Sequence, residues 1–320
     1  MTSWLHRYSK AVAISTVLLI AAGGTVTSTG SGLSVPDWPT SYGWSMFTFP
    51  VRNWVGGIKY EHAHRLIAST VGFLTIILAA WTWKTERNPV RWLGPAALGA
   101  VILQGVLGGL TVLFFLPAPI STGHAGLAQI FFCLTLTIAL LTSPGWKDAP
   151  DWVDDARLRR LAATTTALIY VQILLGATMR HTGAGLAIPD FPLAFGGMVP
   201  DHWSGRIAIH FSHRVGALIV TAAIVATAAR AWTHAARPEL RRPAALIVGL
   251  VALQIALGAS VVLSGLDPVV NTIHVVNGAL VLGTSLVLAL RSFRPVFERR
   301  AARSHAVGIA PSAPPLGARP

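Results

Sequence analysis

Apolar residues in this 320-residue chain run in long blocks, separated by short polar or Gly/Pro-rich stretches. A half-buried strand would show alternation, and a soluble helix an apolar stripe with a polar back. Here whole segments are apolar on every side. The blocks lie at about 8–27, 58–82, 91–116, 119–142, 159–180, 204–232, 242–264 and 268–290, each close to the ~20 residues an α-helix needs to cross a bilayer core. The pattern predicts eight membrane-spanning helices. His6, Arg7 and Lys10 ahead of the first block would also suit a signal peptide, but Val12 to Thr27 lacks a convincing cleavage site and matches a later segment. It is read as a span.

Composition agrees with that reading and excludes a soluble enzyme. Hydrophobic residues make up 53% of the chain and charged residues 12%, against roughly 25% charged in soluble domains. The net charge of +13 would suit nucleic acid, but its distribution points elsewhere. His6/Arg7/Lys10, Lys84/Arg87/Arg91, Lys147/Arg157/Arg159/Arg160, Arg230/Arg237/Arg241/Arg242 and the tail from Arg291 to Arg319 fall in alternate loops, while Arg52, Lys59, Arg180 and Arg206 fall on the other side. Because cytoplasmic loops retain Lys and Arg, both termini are expected inside, in a multi-pass protein of the cell (inner) membrane with lipid as its surroundings. The loops at about 28–57, 117–118, 181–203 and 265–267 are expected outside. No nucleic-acid partner is expected. Cys133, the single cysteine, reads as a small packed residue.

The chain also repeats itself. Gly30-Ser-Gly-Leu-Ser-Val-Pro-Asp-Trp-Pro39 answers Gly183-Ala-Gly-Leu-Ala-Ile-Pro-Asp-Phe-Pro192, His64-Arg65 answers His213-Arg214, Gln104-x-x-Leu-Gly answers Gln254-x-x-Leu-Gly, and His124 answers His274. An even number of spans per repeat makes the repeats parallel, so equivalent residues share one depth. The expected fold is an all-α integral membrane protein whose eight transmembrane helices form two parallel, pseudo-symmetric four-helix bundles. Residues 1–142 form the first half, 143–158 a cytoplasmic linker, 159–293 the second half, and 294–320 a disordered cytoplasmic tail.

Histidine inside a span is expensive and normally faces a partner or a bound ion. His62, His64, His124, His210, His213 and His274 all fall in the first two or three turns of spans that start at the outer face. Paired imidazoles from facing helices of a bundle suit the iron of a haem, which makes His64 with His124 and His213 with His274 candidate metal ligands. Hydrogen-bonded core histidines are the plain alternative. Zinc is disfavoured, because His62 and His64 point to different sides of one helix and no Cys pair or His-Glu-x-x-His motif is present. Glu61 lies on the same face as His64, where it could exchange protons, whereas His210 holds the matching place in the second half. Glu61 is otherwise an interface residue paired with Lys59. Arg65 and Arg214 suit haem propionates, or else snorkel to the interface. The long outer loops read as lids or binding elements, or as tight turns shaped by Gly and Pro. Gln104, Gln172 and Gln254 read as helix-packing positions without chemistry.

On Glu61-x-x-His64-Arg65, His124, His213-Arg214, His274 and the duplicated Gly-Leu-x-x-Pro-Asp loops, the sequence from about residue 8 to 291 resembles the haem A synthase family. The resemblance implies oxidation of a methyl group of haem O, through a hydroxymethyl intermediate, to the formyl group of haem A. It further implies a resident haem b on His213 and His274, a substrate haem facing His64 and His124, and an essential acid at Glu61. Haem O synthase and an electron donor are the implied partners, and self-association into a homo-oligomer is compatible. Some family members carry a cysteine pair in the outer loops, which this chain lacks. A diheme cytochrome b that only passes electrons is the alternative, and a transporter a more distant one.

Overall fold

The computed structural model describes residues 2–147 and 153–308, with side chains described for 4–147 and 153–297. Its helices are α1 (Thr2–Ser28), α2 (Ile58–Thr85), α3 (Val90–Leu113), α4 (Ala118–Leu141), the short α5 (Pro144–Lys147), α6 (Ala156–His181), α7 (Gly205–Trp232), α8 (Pro238–Leu263) and α9 (Pro268–Gly308). Eight of them are long and apolar enough to span a membrane, the last over Pro268–Phe297. The lengths follow from the solvent: with no water to bond exposed amides, only a helix satisfies its own backbone. Hydroxyls inside the apolar interior do likewise, as when Thr16 donates to Val12 O and Thr75 to Val71 O. Helix α9 continues to Gly308, past the boundary expected near 293, through a stretch that carries Pro295 but is rich in the helix formers Ala and Arg. The rest of the expected tail, 309–320, lies outside the described residues.

Contacts close α1–α2–α3–α4 into one ring and α6–α7–α8–α9 into another, and the rings meet where α1 and α4 face α6 and α9. The first ring is filled by Leu5, Val12, Leu78, Phe131 and Ile138, the second by Ile169, Ile224, Ile247 and Leu282. At the seam Ile20, Phe132 and Ala279 pack together. A Cβ on Gly283 would come within 2.9 Å of Phe132 and Leu136, so the small residue sets how closely α9 approaches α4. Cys133 packs against the second core.

Between the rings Asp155 caps α6, its Oδ1 accepting from the N–H groups of Arg157 and Leu158 while Oδ2 pairs with Arg230 of α7 and with His234 just beyond it. At the opposite end of the bundle the two long loops, residues 29–57 and 182–204, leave α1 and α6 in the same way. Gly30 (φ +66°) and Gly183 (φ +67°) take left-handed C-cap positions, which lets the N–H of Ser31 reach Val26 O and that of Ala184 reach Met179 O.

Candidate functional site

The repeated loop signature is a structural device with an identified job for most of its positions. Asp37 accepts from the N–H groups of Tyr42 and Gly43, and Asp190 from those of Phe195 and Gly196. Both residues of each pair are held at positive φ in matching tight turns, so each carboxylate stabilises a backbone that Tyr42 and Phe195 would otherwise avoid. For Asp37, burial opposes ionisation, but the Gly43 amide, the Thr40 hydroxyl and the Tyr42 amide outweigh it and hold the carboxyl below the usual range. Asp190 is lowered by its two loop amides, Gly196 first. Trp38 lies flat on Gly109 of α3, where a Cβ would stand 2.5 Å from its ring. The loop thereby rests on the helices.

Arg65 and Arg214 lock these loops down. Arg65 donates to Asp37 O, Thr40 O and Val35 O at 2.7–2.9 Å, and Arg214 to Asp190 O, Leu193 O and Ile188 O at 2.6–3.1 Å. The acceptors occupy equivalent places in the two repeats. Sequence reasoning offered a propionate or the interface for these guanidinium groups. Their Nη donors reach loop carbonyls, which local pattern could not reveal because the acceptors lie 21–30 residues away.

Glu61 is 4% exposed and belongs to the same lock. Its Oε1 takes Arg65 Nη2 at 2.8 Å, and its Oε2 accepts the Val35 N–H at 2.8 Å. No hydrogen bond joins it to His64, and Lys59 is not its partner. His210 performs the same backbone task in the second ring, its Nδ1 accepting the Ile188 N–H at 3.3 Å. Loop anchoring therefore needs only an acceptor at this position. The carboxylate of the first ring is an addition. His62 is fully buried in the loop base, 3.1 Å from Ser41 Oγ and packed against Phe49 and Trp54.

The other four candidate histidines form two pairs. His64 and His124 stand within electrostatic reach of each other in the first ring, as do His213 and His274 in the second. Among the described residues, no three of His, Cys, Asp or Glu gather as a metal cage. Every one of the four rings sits on a glycine of the preceding long helix. A Cβ on Gly23, Gly108, Gly176 or Gly258 would stand 3.1, 3.2, 2.8 or 3.3 Å from Cε1 of His64, His124, His213 or His274. Gly108, Gly176 and Gly258 end the Gln-x-x-Leu-Gly runs, whose glutamines also have a role near the site. Gln104 Nε2 donates to His124 O, Gln172 Nε2 to His213 O and Gln254 Nε2 to His274 O, and each lies 3.0–3.3 Å from a nitrogen of the same ring.

Buried ring nitrogens without a partner are the test of whether these pairs suit an iron. Nδ1 of His64, His124 and His274 is buried and unbonded, whereas Nδ1 of His213 lies beside Gln172. Two imidazoles per ring, seated on glycine and flanked by apolar helices, fit a haem by donor chemistry.

Residues 6–286 match the COX15-CtaA family of cytochrome oxidase assembly proteins. The chain belongs to this family. Among its relatives, a heme A synthase of Halalkalibacterium halodurans is 30% identical over 84% of this chain and 92% of its own length. Heme A synthases of Symbiobacterium thermophilum and Geobacillus kaustophilus are 29% and 27% identical, covering 82% and 96% of this chain and 88% and 97% of their own. In this COX15-CtaA member the histidine pairs were legible from the repeat, whereas the glycine seats were not. For Gly108, Gly176 and Gly258 the only sequence signal was a Gln four residues earlier, a spacing that also serves ordinary helix packing, and Gly23 lacked even that.

Proposed function

We propose that this family member is a haem A synthase, an oxidoreductase that converts a methyl group of its substrate haem O to a hydroxymethyl and then to a formyl group. One observation carries the reading. Four imidazoles sit on glycines in two equivalent pairs, and only the first ring adds a buried carboxylate, Glu61, at the place where the second has His210.

In this proposal His64 and His124 of the first half (1–142) hold the substrate haem, and His213 and His274 of the second half (159–293) hold a resident haem b. The two halves are parallel, pseudo-symmetric bundles joined by the 143–158 linker. When bound, haem b supplies a one-electron relay. The first step adds an oxygen atom supplied from outside the chain; dehydrogenation of the hydroxymethyl group to the formyl group then releases two protons and two electrons, and Glu61, three residues before His64, accepts protons from the substrate side. Arg65 and Arg214 act by fixing the loops above the rings, which excludes water from the sites. The loop end faces outward and both termini face the cytoplasm, with the chain in the inner membrane. Haem O synthase delivers the substrate, and a separate donor or acceptor balances the electrons.

The test is haem extraction and chromatography on protein from cells that also make haem O, comparing wild type with Glu61→Gln. Glutamine keeps an acceptor for the Val35 N–H but cannot take up a proton. Wild type should hold haem b with haem A or a hydroxylated intermediate, and the variant should accumulate haem O. If both proteins hold only haem b in two equal sites, the chain is a diheme electron carrier.

A further inference from the structure

The two rings match at their histidines and glycines but differ in what stands behind them. In the second ring Gln172 contacts His213, Gln254 contacts His274, and Gln254 is itself held, its Oε1 accepting from Asn277 Nδ2 at 2.7 Å while that amide also donates to Leu250 O. Each of these amides donates through its NH2 group. In the first ring Gln104 contacts His124, but its Oε1 is buried without a partner, and His64 has no glutamine at all. Register gives the reason. Gln172, Gln104 and Gln254 each stand four residues before the glycine seat, and the residue four before Gly23 is Leu19. Asn277 stands three after His274, and the residue three after His124 is Leu127.

We propose that this amide shell decides which ring keeps its haem and which exchanges it. Gln172 and Asn277 are positioning residues that make the second ring the retaining site, and Leu19 and Leu127 make the first ring the exchanging site. This rests on the function proposed above and assigns the residues that separate cofactor from substrate. Groups behind an iron-binding histidine fix its orientation, and losing one typically weakens metal binding 10–100-fold. An imidazole with no such partner can turn or withdraw at less cost. A synthase needs that difference, because one haem must leave on each turnover while the other stays.

The experiment follows haem loss from purified holoprotein to excess apomyoglobin, with chromatography identifying each haem. Haem b reports the second ring, and haem O or haem A the first. Gln172→Leu and Asn277→Leu should each speed loss of haem b by about 10–100-fold and leave loss of haem O/A unchanged. Leu19→Gln should slow loss of haem O/A by a comparable factor and leave haem b unchanged. Slower loss in the added-amide variant is an outcome that mere loosening of the helices cannot produce. The proposal is overturned if both haems leave faster together in the amide-loss variants, or if Leu19→Gln leaves exchange from the first ring unaltered. Wild-type protein that carries haem b alone, in equal amounts in both rings, would instead remove the proposed function.

Discussion

Placing a methyl group on the tightest of the glycine seats tests whether these glycines serve the imidazoles or the helices. In Gly176→Ala the new Cβ would lie 2.8 Å from His213 Cε1, 3.4 Å from Nδ1 and 3.6 Å from Nε2. Carbon atoms prefer about 3.5–4.0 Å, so the ring must withdraw by roughly 0.7 Å or more. It cannot do so freely, because Gln172 bonds the His213 carbonyl at 2.7 Å and lies 3.0 Å from Nδ1. Overpacking of this kind costs about 1–3 kcal/mol, or about 5–150-fold in haem affinity when it falls on the ligand. Alanine also gains up to about 1 kcal/mol in helix propensity over glycine, and that gain acts on the fold. The two effects therefore have opposite signs. Thermal unfolding of haem-free protein should be unchanged or raised, while haem b per polypeptide, read by pyridine haemochrome and by haem titration, should fall. The wider seats at Gly23, Gly108 and Gly258 should respond less, each in its own ring. Wild-type haem b affinity in Gly176→Ala, or a larger effect from Gly258→Ala at 3.3 Å, would refute the reasoning.

Two further outcomes concern the loop and the α6 cap. Because the folded Asp37 carboxyl is held below its ordinary value, its contribution is present above the unfolded pKa of about 3.9 and is lost only as pH falls through the lower folded value. Limited proteolysis of the 29–57 loop should therefore be flat from pH 7 to 5 and rise only in stronger acid, and Asp37→Asn should raise cleavage at every pH. Asp155→Ala removes a cap and the partner of Arg230 and His234. Thermal unfolding in detergent should show a loss of about 1–3 kcal/mol with haem binding retained, whereas unchanged stability would dismiss the cap.

How much of this was legible varied by residue and for stated reasons. The eight spans were readable because the bilayer imposes a length and an apolar surface on each helix separately. His64, His124, His213 and His274 stood out because an imidazole in such a segment is costly and because the repeat presented each one twice. Arg65 and Arg214 were visible as charges, but not as loop anchors. Their acceptors are carbonyl groups, which any residue supplies, so no side-chain pattern marks them. Glu61 was visible as the odd member of the repeat. That His210 takes over its bond to the loop backbone depended on where residues 35 and 188 come to rest.

Sequence by itself determined the membrane class, the number of spans, the duplication and the histidine pairs, since these follow from composition and periodicity along one segment at a time. Only the tertiary structure decided that each imidazole rests on a glycine of the preceding long helix, that the loop aspartates hold left-handed turns, and that the amide shell is complete behind one pair and broken behind the other. Those facts are contacts between segments. Their meaning comes from distances of a few ångströms across the ring, which no single helix encodes.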